Sequence, residues 1–591
     1  MRNLLNVFCL TATWLLFLNT ISYGACHVVD DSAAGGGNGD DWTTAWQALP
    51  ATLVRGDTYY LADGTYPKYV ANTAVSGVTL ITVKKAIGSD HCTDTGWNLG
   101  TMGSAVATIT DSGNNATALL FQSNYWMFDG QTRTSLTTGH GIAITVSSLT
   151  GTVAFTVRGL DVNNITLKYI KAVGSGVASN NPTCNAAQNC ILSDPLYFSH
   201  APDTGLCHDL TFQYMYLYDS GVNAVSTVNC STVLLEHSMA ELNGTGSYYH
   251  GQGWNAVANG STYTIRYNHF KDIQGTAVFS MIGAGTLSNW EVYGNNVYES
   301  SPVGTPITNG VYACLQGNTC DNLKFYNNSI ANTGGISYGA GLSCRTDGGA
   351  SCSGWLVKNN LWYNGTDPGF RAIGTNNYNT FLNVTPVYSG GSSAGANDVV
   401  TDPGSDPFVS SGAGDFHPLS GTAAGETHSA PYATDLDGVT RGGDGTWDRG
   451  AFEFVASGVP VFQTVIGTST LRMGLGGGSQ TVTVTNVGTG STDGTTATFM
   501  LTLPTGVTAT ALSGTGWGGV NCTPSGLTCT RSDVLTATSS YPVLTLTYSL
   551  LKSTAQTLMT RANGTGGGTA GTSTGTGDIT ATAFKGLGLA P

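Results

Sequence analysis

The sequence predicts an all-β protein, a parallel β-helix followed by a small β-sandwich. Three observations carry this. Only 10% of the 591 residues are charged, too few for the Glu/Lys surfaces of long soluble helices. Glycine occurs 81 times, roughly double its usual share. One strand-and-turn phrase recurs in seven segments: 165–172, 210–217, 233–240, 263–270, 290–297, 323–330 and 355–362. With 40% hydrophobic residues the chain can still build a large core. A net charge of −14 opposes a phosphate backbone, so nucleic acid is excluded as a partner.

Anchoring the phrase at Leu167, Phe212, Leu235, Ile265, Val292, Phe325 and Val357 gives spacings of 45, 23, 30, 27, 33 and 32 residues. Strand-containing repeats of this length without intervening helices stack as coils of a parallel β-helix. The 45-residue interval holds an insertion or a missed coil. Three residues past the anchor lie Asn268, Asn295, Asn328 and Asn360, which predict a ladder of stacked amides at one corner and a left-handed bend there.

The first 24 residues read as a secretory signal: Arg2, an apolar stretch to Leu18, then small residues at Ser22 and Gly24. No other stretch could span a bilayer. Removing the signal leaves 12 of the 13 cysteines, an even number that favours disulfides in a secreted protein. Cys522 with Cys529 and Cys184 with Cys190 form short loops, and Cys207 stacks on Cys230 at the 23-residue coil offset. Cys314, Cys320, Cys344 and Cys352 allow either stacked or local pairing, and Cys26 and Cys92 pair by elimination.

An open β-helix end needs a cap. Residues 41–53, with Trp42, Trp46 and Leu49 at helical spacing and Asp41 as N-cap, predict a helix there, followed by a first strand and turn over 55–66. These segments, together with Asp435-Leu436-Asp437-Gly438-Val439-Thr440-Arg441 and Trp447-Asp448-Arg449-Gly450-Ala451-Phe452-Glu453, resemble the opening and closing portions of secreted bacterial right-handed β-helix proteins of the pectin-lyase-like superfamily. The resemblance covers about residues 26–455 and assigns 25–457 to the β-helix. Residues 458–591, rich in Thr and Gly, resemble the conserved-repeat β-sandwich of bacterial surface proteins, which implies adhesion, spacing or anchoring.

The outward column one residue past the anchor reads Lys168, Gln213, Glu236, Arg266, Tyr293, Tyr326, Lys358, a candidate groove for an acidic sugar. Tyr248 to Trp254, including Tyr249 and His250, forms an aromatic candidate wall, with His250 as acid or base. Substrate contacts are therefore expected at Lys168, Tyr249, Trp254, Tyr293 and Tyr326. Residues 235–238 and 264–272 resemble two pectate-lyase segments, without that family's further arginine motif and calcium-binding aspartates.

A lyase would abstract a proton alpha to a uronate carboxylate. Arg266 or Lys168 would neutralise that carboxylate, and Arg266, His250 or His269 would stand near the proton. A hydrolase needs two carboxylates, for which Glu236 with Asp272 is the only nominee. Asp219, Asp272 and Glu299, seven past the anchor, would bind calcium if they cluster. Two functions are thus expected: a secreted protein binding, and as a lyase cleaving, an extracellular polysaccharide, or a non-catalytic surface protein with the β-helix as a stalk.

Overall fold

The computed structural model describes residues 24–582 except 113–115, 147–152, 175–191, 202–206, 244–250, 274–276, 301–309, 333–340, 366–369, 372, 386, 456–458, 473–476, 551–555 and 570. The expected signal, His250, Tyr249 and the Cys184–Cys190 pair lie outside the described residues. Three long parallel sheets of 13, 11 and 12 strands stack as in a parallel β-helix. Sheet A runs from Cys26–Val29 to Thr375–Asn377, sheet B from Gly64–Pro67 to Val399–Thr401, and sheet C from Tyr69–Ala71 to Tyr388–Ser389.

All seven anchors lie in one column of sheet A, each paired with the next. Leu167 pairs directly with Phe212, so the 45-residue interval is an insertion and not a missed coil. Upstream, Phe128, Val83, Tyr59 and His27 continue the column. Inward alternation builds one continuous core, with Trp126, Trp254, Trp290 and Trp355 fully buried.

The asparagine ladder is present and longer than expected. The Asn268 backbone N–H and side-chain amide both donate to Asn295 Oδ1, at 3.0 and 3.1 Å. Asn295, Asn328 and Asn360 repeat the pattern. Ser238 begins the ladder, and Asn379 ends it on Asp398. Each amide also donates to an anchor carbonyl, as Asn295 Nδ2 does to Ile265 O at 2.9 Å. An interior amide is tolerable only when its donors and acceptor are matched in this way. The left-handed residue, however, is the one before the asparagine: Tyr267 (φ 57°), Gly294 (64°), Asn327 (53°) and Asn359 (58°).

The amino-terminal cap is not a helix. Thr43 and Thr44 turn back on Asp41, whose Oδ1 accepts from both their backbone amides at 2.9 and 3.0 Å. The chain then bridges the open edge of sheet A. Val28 N donates to Gly39 O (3.0 Å), Asp30 N to Trp46 O (2.8 Å) and Trp46 N to Val28 O (3.2 Å). The edge is closed by backbone pairing, so the first strand is Cys26–Val29 rather than residues 55–66.

Disulfides join Cys207–Cys230 and Cys522–Cys529 as the spacing predicts, and Cys26–Cys92 as expected by elimination. Cys314 and Cys344 share a column, as do Cys320 and Cys352, yet the bonds run locally, Cys314–Cys320 and Cys344–Cys352. Residues 403–455 fold back over the outside of the downstream coils. Phe408, Phe416, Ala451 and Phe452 cover Tyr298, Ala331 and Leu361 of sheet B, and Tyr432 and Leu436 cover Tyr267, Tyr293 and Tyr326 beside sheet A. Buried Arg449 fastens the flap, donating to Asn379 O (3.0 Å) and Thr380 Oγ1 (3.1 Å).

After residue 458 a four-stranded and a five-stranded sheet enclose a separate core built on Val482, Val484, Phe499, Leu544, Leu546 and Tyr548. Among the described residues no helix is long and apolar enough to cross a membrane.

Candidate ligand-binding cleft

Where sheet A turns into sheet B, the bend residue of each coil sits at positive φ: Tyr169 (53°), Tyr214 (56°), His237 (50°) and Tyr267 (57°). Bulky residues seldom adopt this backbone. Here the β-helix register imposes it coil after coil, and the rings stack. Tyr169 lies 4.6 Å from Tyr214 at 3°, Tyr214 5.3 Å from His237 at 16°, and His237 5.2 Å from Tyr267 at 30°. The Arg133 guanidinium covers Tyr214 at 4.8 Å and donates to His237 O.

This stack floors a cleft of about 1010 Å³. One side is the loop carrying Arg133, Thr134 and Leu136, and another is His417, Leu436, Asp437 and Phe452 of the fold-back flap. The far wall comes from the sandwich, at residues 462–465 and 573–576. Clefts of this kind, between domains and mixing aromatic with polar groups, are the usual form of a ligand site.

The cleft holds its histidines in two states. Burial pushes both His237 and His269 down to about 4, so each is neutral at pH 7. The Asn296 side-chain amide lies 3.3 Å from His269 Nδ1 and holds the ring in place. Partial burial alone would lower His417, but Asp437 and Asp415 outweigh it and raise it to about 9. Its Nδ1 lies 2.6 Å from Asp415 Oδ1 and its Nε2 2.9 Å from Asp437 Oδ2. Burial raises the phenols of Tyr169 and Tyr214, which stay protonated and can donate as well as accept.

The residues predicted from sequence are placed differently. Arg266 is 29% exposed and spent on neighbours: its Nε donates to Glu236 Oε2 (2.6 Å) and its Nη1 to the Tyr293 hydroxyl (3.0 Å). Burial alone would lower its pKa, but Glu236 and Tyr293 raise it further. Glu236, 7% exposed, also accepts from Gln213. Tyr293 and Tyr326 are buried, because Tyr432 packs edge-on against both and His428 stacks on Tyr326 at 4.7 Å. The expected groove is therefore roofed by the chain's own flap at these two positions. Lys168 is half-buried in the uncovered part of the column, between Asp129 and Gln213.

Trp254 is no sugar platform. It points inward from sheet C, fully buried, with Nε1 donating to Thr227 Oγ1 at 3.1 Å. His269 lies round the corner on sheet B and lines the cleft. Glu236 is on sheet A and Asp272 on sheet B, so the nominated hydrolase pair does not face one site.

Asp272 and Glu299 are neighbours across adjacent coils, where burial and then Asp272 raise Glu299 to about 8. Asp219 stands two coils away, with Leu242 between in the register. No cluster of three metal-ligating side chains exists among the described residues, so the calcium site expected at Asp219, Asp272 and Glu299 does not assemble. Sequence reasoning missed the ring stack although its signal was available: Tyr169, Tyr214, His237 and Tyr267 each stand two residues past an anchor.

No protein-family model matches the sequence, and no curated protein matches it. Among solved structures the chain is similar to a PL6 family polysaccharide lyase from Pseudopedobacter saltans, at 13% identity over 64% of this chain and 94% of that one, with a TM-score of 0.19. At that score the likeness carries no argument about the site.

Proposed function

We propose that this is an extracellular polysaccharide-binding protein whose ligand lies across the open corner of the β-helix. The observation that carries the reading is the cleft of about 1010 Å³ floored by in-register phenol and imidazole edges. Coils repeat every ~4.8 Å, so such a floor offers the same groups at regular intervals to a polymer that also repeats. The rings cover one another's faces, so they meet a sugar with hydroxyls and ring edges rather than open faces. Paired cysteines fit an oxidising compartment, in keeping with export by the amino-terminal signal.

Uronate elimination through Arg266, Glu236, His250 and His269 has less support. Of the two cations nominated for the uronate carboxylate, Arg266 already gives its donors to Glu236 and Tyr293, and Lys168 stands in the outward column of sheet A, outside the cleft lining. Titration calorimetry of the full chain against soluble neutral and uronate polysaccharides tests the binding reading. Saturable binding to at least one is expected. Binding to none would leave the β-helix as a stalk for the sandwich.

A further inference from the structure

We infer that the cleft clamps an uncharged stretch of polysaccharide between the β-helix corner and the carboxy-terminal sandwich; this rests on the polysaccharide-binding reading above and specifies its ligand. The sandwich residues that line the cleft carry no charge, and Asp578, two residues beyond Thr576, adds a carboxylate near Tyr169 and Tyr214 rather than a cation. On the strand Phe462–Ile466, Phe462, Thr464 and Ile466 are buried while Gln463 and Val465 face out; beyond it Ser573 and Gly575 are buried while Thr574 and Thr576 are exposed. Thr464 Oγ1 and Ser573 Oγ lie 2.6 Å apart and tie the two strands together. Thr440 Oγ1 donates to Thr572 O (3.2 Å), joining the flap to the sandwich at the cleft. The wall therefore offers one amide and two hydroxyls, groups that match sugar hydroxyls as donors and acceptors.

Charge in the cleft is balanced without a ligand. A histidine with a carboxylate at each ring nitrogen donates from both, which requires the imidazolium form, so His417 is one cation set between Asp415 and Asp437. Arg133 is the second; its guanidinium lies over the Tyr214 face and Nη1 donates to the His237 carbonyl. The two cations and two carboxylates of the lining cancel, so the cleft presents no net positive charge to a uronate, and the chain's net charge of −14 repels a polyanion at longer range. The open hydrogen-bonding groups are the Tyr169 and Tyr214 phenols on one side and Gln463, Thr574 and Thr576 on the other.

The test is calorimetry of the full chain with xyloglucan, glucomannan and arabinogalactan as neutral probes, and alginate and polygalacturonate as acidic ones. At least one neutral probe should bind, with an affinity that changes less than about twofold between roughly 0.05 and 0.5 M salt. The exposed double variant Thr574→Ala/Thr576→Ala should bind it about tenfold more weakly with an unchanged melting curve. Tighter binding of alginate or polygalacturonate, lost in high salt, would overturn the neutral ligand class and leave the polysaccharide reading standing. Neutral binding unaffected by the sandwich variant would overturn the clamp. No binding to any probe would overturn the reading on which both rest.

Discussion

The corner between sheets A and B is built twice on one backbone plan. In the upstream coils its bend residues are Tyr169, Tyr214, His237 and Tyr267, facing a cleft, and the inward place behind them holds Ile170, Met215 and Ser238 before the first ladder asparagine, Asn268. Downstream the bend residues shrink to Gly294, Asn327 and Asn359, the inward place becomes the asparagine ladder, and the flap closes over the outside. Asn359 is itself a flap contact, exchanging hydrogen bonds with Glu426 at 2.7 and 2.8 Å. The positive φ is common to both halves, so geometry does not separate them. What differs is the side chain placed on it: the rings of Tyr169, Tyr214 and His237 line the cleft, Tyr267 ends that stack and its hydroxyl meets Thr434 of the flap, and the small or amide residues beyond it lie where the flap docks.

The sharpest way to break this comparison is to exchange its two kinds of residue. Asn295→Ala removes a rung whose Oδ1 accepts two bonds and whose Nδ2 donates two more. With several buried groups left unmatched, a loss of about 3 kcal/mol is expected in denaturant titrations, with polysaccharide binding kept in the folded fraction. A stability change under ~0.5 kcal/mol would mean that the ladder is not what holds this corner.

Arg266→Ala should cost about 2 kcal/mol, because nearly buried Glu236 loses its partner. It should not weaken binding, since Arg266 faces Glu236 and Tyr293 rather than the cleft. An affinity loss beyond tenfold (about 1.4 kcal/mol) would return the site to the outer face of sheet A. At the open corner the balance reverses. Tyr214→Ala should cost only about 1 kcal/mol of stability, the scale of an aromatic pair beyond its area, but abolish measurable binding.

The smallest expected effect is one of pH. His417 has its folded pKa raised from about 6.5 to about 9, so the stability it contributes is fully present below pH 6.5 and is lost as pH rises through 9. The melting difference between the parent and His417→Gln should therefore be largest in mild acid and fade by about pH 9. A difference that is flat with pH would mean that Asp415 and Asp437 do not hold the ring charged.

The sequence made the repeating corner legible because one rule, the offset from an anchor, governs every coil. The same rule located Asn268 to Asn360, the Cys207–Cys230 pair and the outward column. It could not show which outward places stay open, since that depends on where residues 403–455 return, a contact more than 100 positions distant for Tyr293 with Tyr432. Trp254 was misplaced for a related reason: an aromatic after a Gly-rich stretch reads as a loop, yet it enters sheet C in register with Val225 and Phe279. The cap was misjudged because Trp42 and Trp46 have helical spacing, while Asp41 with two following threonines favours a local turn.

Whether the ligand occupies the open corner is tested most directly by hydrogen exchange of the full chain with and without a saturating neutral oligosaccharide derived from whichever probe binds. Occupancy predicts added protection in segments containing Tyr169, Tyr214 and His237 together with residues 462–465 and 573–576, and none at the ladder, which is already buried. Protection confined to sheet A around Arg266 and Tyr293, with the sandwich strands unchanged, would contradict it.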